Sequence, residues 1–318
     1  MESLSLTSTD PNERHRSERL NLAQAIQSPR GVARSISRHF RRLRSKYAEI
    51  GPYKIHLPAQ HEVLEYKRNY HLYDTALAKI AGVLRDKYAD LHAIDIGANI
   101  GDTAALIRES GEIPVLCIEG DPLALPFLRE NAMNLGDGIE IEPSFVGKEG
   151  MSVDLNSASN LGFNASLIAG RDKQGEVELR PLSTILVAHP RFKGSKLLKT
   201  DTEGFDFDIL RLSMSFIRQA KPVIFFEYGP HLRQDEPLAG LDTIAQLISA
   251  GYSDFIYYDN FGNFLLHVEA KSQSIMNDLD SYLGSNRRHG LVVHYFDICA
   301  LHQEDADMVS RIKSETQR

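Results

Sequence analysis

Only two cysteines occur in 318 residues, Cys117 and Cys299, and each lies inside an apolar run. Two buried thiols follow from that placement, which argues against a disulfide framework or a thiolate metal cage. No stretch of about 18 apolar residues exists, which argues against a spanning helix. The opening residues, Met1-Glu2-Ser3-Leu4-Ser5, lack the basic start and apolar core of a secretory signal. Together these absences predict a cytoplasmic protein.

Positive charge is scarce outside the first residues. Residues 1–50 carry 10 Lys/Arg against 5 Asp/Glu, leaving 26 against 38 in the remainder and a net charge of −7. So acidic a body makes a poor nucleic-acid partner, and none is expected. Residues 1–28 are polar and without periodicity, the composition of a disordered segment. From Val32 the pattern changes: Val32, Ile36, Phe40, Leu43 and Tyr47 recur at helical spacing among Arg34, Arg38, Arg41, Arg42, Arg44 and Lys46. A basic amphipathic helix over 32–47 suits packing on the protein's own body or on a second subunit, as in a homo-oligomer. It also suits an anionic membrane surface.

The expected organisation is a basic tail with that helix (1–48), a helical lead-in (49–90), an α/β domain (91–302) and a polar C-terminal tail (303–318). The lead-in opens with a short extended piece, Tyr53–Leu57, followed by helices carrying Tyr70, Tyr73, Leu77, Ile80 and Leu84. Strand-length apolar runs then fall at Ala93–Ile96, Val115–Ile118, Lys196–Lys199, Val223–Phe226, Phe255–Tyr258 and Leu291–Tyr295. Helix-period segments separate several of them, at Thr103–Glu109, Leu123–Leu135, Phe205–Ile217 and Leu241–Ala250. Such alternation predicts a mostly parallel sheet covered on both faces. Residues 144–184, rich in Gly and Asn, read as short strands and a long loop, suited to a lid or an acceptor-binding element. Tyr257–His267 reads as a hairpin turning at Phe261-Gly262-Asn263, giving the sheet an antiparallel edge.

Ala93-Ile94-Asp95-Ile96 is a buried strand that ends at Gly97, where glycine permits a tight turn and close approach of a ligand. Spacing separates the nucleotide binders. A phosphate-binding loop needs Lys after its second glycine, and Asp102 stands there. A dinucleotide fingerprint needs three glycines where this chain has Gly97, Asn99 and Asp102, so a nicotinamide-dependent oxidoreductase is disfavoured. What remains is Asp-x-Gly-x-Asn-x-Gly-Asp. Asp95 and Asp102 repel a pyrophosphate and suit a ligand with cationic groups, such as the ammonium and sulfonium of S-adenosylmethionine. Asp102 is also placed to cap the next helix. Glu119, at the tip of the second strand, is placed for both hydroxyls of a ribose. Asp121 starts the helix that Pro122 enters, or lies near the adenine.

Three stretches resemble the FkbM-type S-adenosylmethionine-dependent methyltransferases: Ile94–Thr103, Cys117–Pro122 and Leu197–Asp206, the last similar to that family's Lys-x-Asp-x-Glu-Gly block. Phe225-Phe226-Glu227-Tyr228 looks like the family's next strand. The likeness covers roughly residues 60–300. It implies a Rossmann-like α/β fold with a seven-stranded, mostly parallel sheet, an antiparallel edge and helices on both faces. It also implies methyl transfer, commonly to an oxygen of a sugar, glycan or natural product. Asp95, Gly97, Ala98, Asn99, Gly101, Asp102, Glu119, Asp121 and Asp201 are the expected cofactor residues. Asp201, Glu203, Glu227 and His231 are the candidates for catalysis, His231 being the most base-like by ordinary pKa. Asp201 and Glu203 also suit a helix N-terminus. The family often has Leu-Asp where this chain has Leu182-Ser183, so that position is given no role. No metal is expected, because no His/Asp spacing closes a site. A different class remains open: a binding or scaffold protein that keeps the fold without turnover.

Overall fold

The computed structural model describes residues 45–59, 61, 63–154, 166–168, 176–202, 204–233, 235–288 and 292–317. The chain divides into two compact units, residues 1–46 with 57–61 and residues 47–56 with 62–318. Few residues of the first are described, so the basic stripe of 32–44 lies outside the described residues. The stripe's end, residues 45–47, belongs to strand β1 (Ser45–Ile50) rather than to a helix. With β2 (Tyr53–Pro58) it forms a two-stranded sheet.

The second unit is built on an eight-stranded sheet. In chain order its strands are β3 (Ala93–Ile96), β4 (Val115–Ile118), β5 (Ile139–Glu142), β10 (Leu197–Thr200), β11 (Val223–Tyr228), β12 (Tyr252–Asp259), β13 (Phe264–Glu269) and β14 (Phe296–His302). Their spatial order is β13-β12-β14-β11-β10-β3-β4-β5. From β11 to β5 all pairings are parallel, whereas β14, β12 and β13 pair antiparallel. The expected sheet gains one strand, β5, which pairs parallel with β4 at the far edge, while the expected hairpin arm is present as β13. The last strand falls at Phe296–His302 and not at Leu291–Tyr295. Its position is set by pairing with β11 and β12, which buries Phe296, Ile298 and Ala300 while Val292 stays exposed.

One sheet face, carrying Ile94, Ile96, Leu198, Ile224, Phe226 and Ile298, packs on helices of the intervening segments through Ile185, Phe207, Ile217, Ile244 and Met276. The last two belong to α8 (Ala239–Ser249) and α9 (Gln273–Arg288). On the other face run α2 (Thr75–Lys87), α3 (Asp102–Glu109) and α10 (Val309–Thr316), with α2 against both of the others. Preceding α2 is α1 (Val63–Asn69), so Tyr70 and Tyr73 occupy the loop between helices instead of a helical face. The residues beyond 302 form a 3-10 turn and α10, which buries Val309 and Ile312.

Two helices begin or end differently from expectation. α4 covers Leu125–Leu135, with Pro126, not Pro122, in its first turn. The segment 205–217 holds two helices, α6 (Asp206–Leu212) and α7 (Met214–Ala220), separated at Ser213. Between β5 and β10 lie β6 (Phe145–Val146), β7 (Ser152–Asp154), β8 (Ser166–Ile168) and β9 (Glu176–Arg180), a four-stranded sheet, and then α5 (Leu182–Ala188). Among the described residues no helix is long and apolar enough to cross a membrane.

The hairpin tip reaches back to the α1–α2 loop. Gly262 has φ +84, and a Cβ there would lie 2.0 Å from the Leu72 carbonyl oxygen. Phe261 meets the Tyr70 ring at 4.3 Å between centroids. This contact fixes Tyr73 and Asp74 beside the carboxyl ends of the parallel strands.

Candidate functional site

β3 is a central strand buried on both faces, yet Asp95 stands in its middle at 0% exposure. A buried carboxylate needs a fixed partner. Register supplies it, because Lys199 of β10 lies opposite Asp95 and its Nζ is 3.1 Å from Oδ1. The Thr103 hydroxyl donates to Oδ2 at 2.5 Å. Lys199 also donates to the Gly97 carbonyl at 3.1 Å, and the Asp201 carboxylate is 3.9 Å away. Its pKa is raised: burial alone would lower it, and the Asp95 and Asp201 carboxylates more than offset that.

The turn itself is tightly determined. Gly97 has φ +75, and a Cβ would stand 2.0 Å from the Asp201 carbonyl oxygen. The N–H groups of Gly97 and Ala98 both donate to the Ile118 carbonyl. Asn99 takes a left-handed conformation, φ 46, which Asn tolerates better than most residues. Its N–H donates to Glu119 Oε2 at 2.8 Å, while the Asp121 N–H donates to Oε1 at 2.7 Å. Glu119 is only 8% exposed, and burial raises its pKa against the pull of those two N–H groups. Gly101 is the N-cap of α3 and Asp102 its first helical residue, so the capping role considered for Asp102 falls to a glycine. Asp121 accepts the Leu123 N–H in a turn ahead of α4 instead of starting the helix.

Among the described residues no side chain caps α6, whose N-cap is Phe205; Asp206, its first residue, instead accepts from the Thr200 hydroxyl (2.7 Å) and from the N–H groups of Thr202 and Gly204 in the turn before it. Asp201 is thereby left at the strand end with a half-exposed side chain. Glu203 lies outside the described residues. Thr200 is in register with Phe226, and Phe226 with Ile298. One position further, Glu227 and Asp297 pair across β11 and β14, about 4.8 Å apart by strand spacing, and Asp201, the residue that follows β10, continues the row. Successive residues alternate faces, so the row lies on the same face as Lys199. His231 stands half-buried in the short turn Pro230–Leu232 after β11.

Several contributors have no local sequence signal. Asp297 joins the row through an antiparallel strand from the far end of the chain. Tyr73 and Asp74 approach from the loop pinned by Gly262, and Tyr295 precedes β14. Burial pushes all four upward in pKa, and mutual repulsion with Asp201 adds to it. Asn131 of α4 is fully buried and donates to the Ile100 carbonyl at 2.8 Å, steadying the turn from behind. Ser144 is 5% exposed and its hydroxyl has no partner, while the Phe145 ring lies against Gly120. A motif search that demands neighbours in sequence misses all of these. Among the described residues no group of three or more His, Cys, Asp or Glu is placed to hold a metal ion.

The buried acids make stability pH-dependent. Burial and Asp102 push Asp74 up to about 7, and burial and Asp201 push Asp206 up to about 6. A native state that holds protons more tightly than the unfolded chain has its full advantage below about pH 4 and loses it as pH rises through 6 to 7. The melting temperature of ligand-free protein is therefore expected to fall between pH 5 and pH 8. Differential scanning fluorimetry checks this, and a flat profile would contradict it.

The FkbM methyltransferase domain model matches residues 95–253. No curated protein matches the chain. Among solved structures, an FkbM methyltransferase from Methylobacillus flagellatus KT is 19% identical over 52% of this chain and 40% of its own, with a TM-score of 0.38. This chain thus spans well under two thirds of that protein's length. A precorrin-6y C5,15-methyltransferase from Geobacter metallireducens GS-15 is 10% identical over 67% and 80%, at 0.33. TYW2 of M. jannaschii, solved with AdoMet, is 11% identical over 81% and 86%, at 0.38. The matched family model covers half of the chain, from the first acid of the glycine turn to the start of β12, and the chain belongs to the FkbM methyltransferase family.

Proposed function

We propose that the protein is an S-adenosylmethionine-dependent O-methyltransferase whose acceptor is a hydroxyl of a sugar, a glycan or a related small molecule. The observation that carries the cofactor assignment is Glu119, a buried carboxylate locked by two backbone N–H groups at the tip of the second strand. That is the chemistry needed for a ribose diol. The remaining residues fit the same ligand. The partnerless Ser144 hydroxyl, with the Phe145 ring beside it, offers a polar atom and an apolar plane to an adenine. Asp201, Glu227 and Asp297 place carboxyl groups at the strand ends that suit a cationic sulfonium, because Lys199 is already paired with Asp95.

When bound, the cofactor supplies an electrophilic methyl group on a good leaving group. The chain's own task is to hold the acceptor in line and to accept a proton, and alignment alone is worth several kcal/mol, about 7–11 in the best cases. As the acceptor oxygen forms its bond to the methyl carbon, the S–C bond breaks and the hydroxyl proton passes to a carboxylate of the row. Asp297, paired with Glu227 across β11 and β14, is the candidate for that carboxylate. Tyr73 and Tyr295 give the acceptor side aromatic and hydroxyl surface, suited to a polyol.

Calorimetric titration with S-adenosylhomocysteine, followed by methyl transfer from labelled S-adenosylmethionine over a panel of monosaccharides and glycosides, tests the reading. Absence of S-adenosylhomocysteine binding by folded protein would overturn it. Of Asp201→Asn, Glu227→Gln and Asp297→Asn, Asp297→Asn is expected to lower kcat most, by about 100-fold or more, the scale of general-base removal.

A further inference from the structure

Among the described residues Lys199 is the buried ammonium of this site, and the proposed methyl transfer gives it no part. Its Nζ reaches three groups that belong to three separate tasks. Asp95 is the buried acid of β3, Gly97 opens the turn, and Asp201 begins the row of carboxylates. A buried ammonium has three donors to place, and this one places them on groups of the strand, the turn and the row. The Gly97 carbonyl belongs to the peptide whose N–H, that of Ala98, is bonded to Ile118. Both ends of that peptide are therefore held, one by β4 and one by Lys199. The next N–H along the turn, that of Asn99, is the one that grips Glu119.

We propose that Lys199 is a positioning residue that sets the peptide plane after Gly97, and through it the orientation of Asn99 and Glu119 toward the cofactor. The inference rests on the proposed binding of S-adenosylmethionine. It assigns the lysine of the Lys-x-Asp-x-Glu-Gly block a role in binding at a turn about 100 residues earlier in the chain, a link made by strand register.

Removing Lys199 alone strands a buried carboxylate, so a single variant does not separate folding from positioning. Two double variants do. Lys199→Met with Asp95→Leu makes the pair apolar and removes the donor to Gly97. Lys199→Gln with Asp95→Asn is equally uncharged but keeps an amide donor on that side chain, one bond nearer the backbone than the ammonium. Melting temperature reports how well each pair packs, and calorimetric titration with S-adenosylhomocysteine reports the turn. The amide pair is expected to bind S-adenosylhomocysteine at least tenfold more tightly than the apolar pair, even where the apolar pair melts as high or higher. Equal affinities would overturn the proposal and leave Lys199 a structural counterion. Wild-type protein that binds no S-adenosylhomocysteine would instead remove the cofactor reading on which the proposal rests, and the two failures are distinct.

Discussion

Gly97→Ala is expected to abolish measurable cofactor binding. The added methyl has no room, since its nearest neighbour is a backbone oxygen, that of Asp201, at 2.0 Å. Backbone cannot swing aside as a side chain does, so β3 and β10 have to part or the turn has to open. The positive φ of 75° adds its own penalty, about 1 kcal/mol for an ordinary residue. Overpacking of this kind costs about 1–3 kcal/mol. Because the displaced peptide is the one bonded to Ile118 and followed by Asn99, the loss falls on the binding site. A drop in S-adenosylhomocysteine affinity of about 100-fold or more is expected, about 2.7 kcal/mol. Calorimetric titration at a temperature where the variant remains folded measures it, and near-wild-type affinity would show that the turn does not line the site.

Glu119→Ala carries the second large effect. The substitution removes the group proposed to hold the ribose and leaves the N–H groups of Asn99 and Asp121 without their acceptor. Each buried, unsatisfied N–H costs about 1–3 kcal/mol. The loss is expected to appear mainly as weaker S-adenosylhomocysteine binding, about 100-fold or more, with a smaller fall in melting temperature. Glu119→Gln retains one acceptor oxygen and turns an amide toward the other N–H, so an intermediate affinity is expected. An alanine variant that binds like the parent would take Glu119 out of the site.

Much of the scaffold and of the cofactor side is legible in the order of the residues alone. Each parallel strand of the centre is a short apolar run, and the turn and Glu119 follow their strands directly along the chain. The acceptor side is not legible in this way, for a physical reason. Asp74 and Asp297 are 223 positions apart and meet only because β14 inserts antiparallel beside β11 and Gly262 pulls the α1–α2 loop over the sheet edge. Which acid serves α6 depends on where that helix begins: it starts at Asp206, whose carboxylate ties the preceding turn to Thr200, and Asp201 stays at the strand end with a half-exposed side chain. For the last strand, apolar content marks Leu291–Val293, whereas pairing with two neighbours selects a segment holding Asp297 and His302.

β14 lies between β11 and β12 although it is the last strand of the sheet to leave the ribosome. A growing chain ending before residue 302 can assemble the parallel half and close the glycine turn. It still leaves the β11 edge unpaired and the β12–β13 hairpin with nothing to join. Pairings this distant in sequence form slowly and expose strand edges while they wait. The half proposed to hold the nucleoside thus precedes Asp297 in synthesis, and Asp297 arrives only with the closing strand.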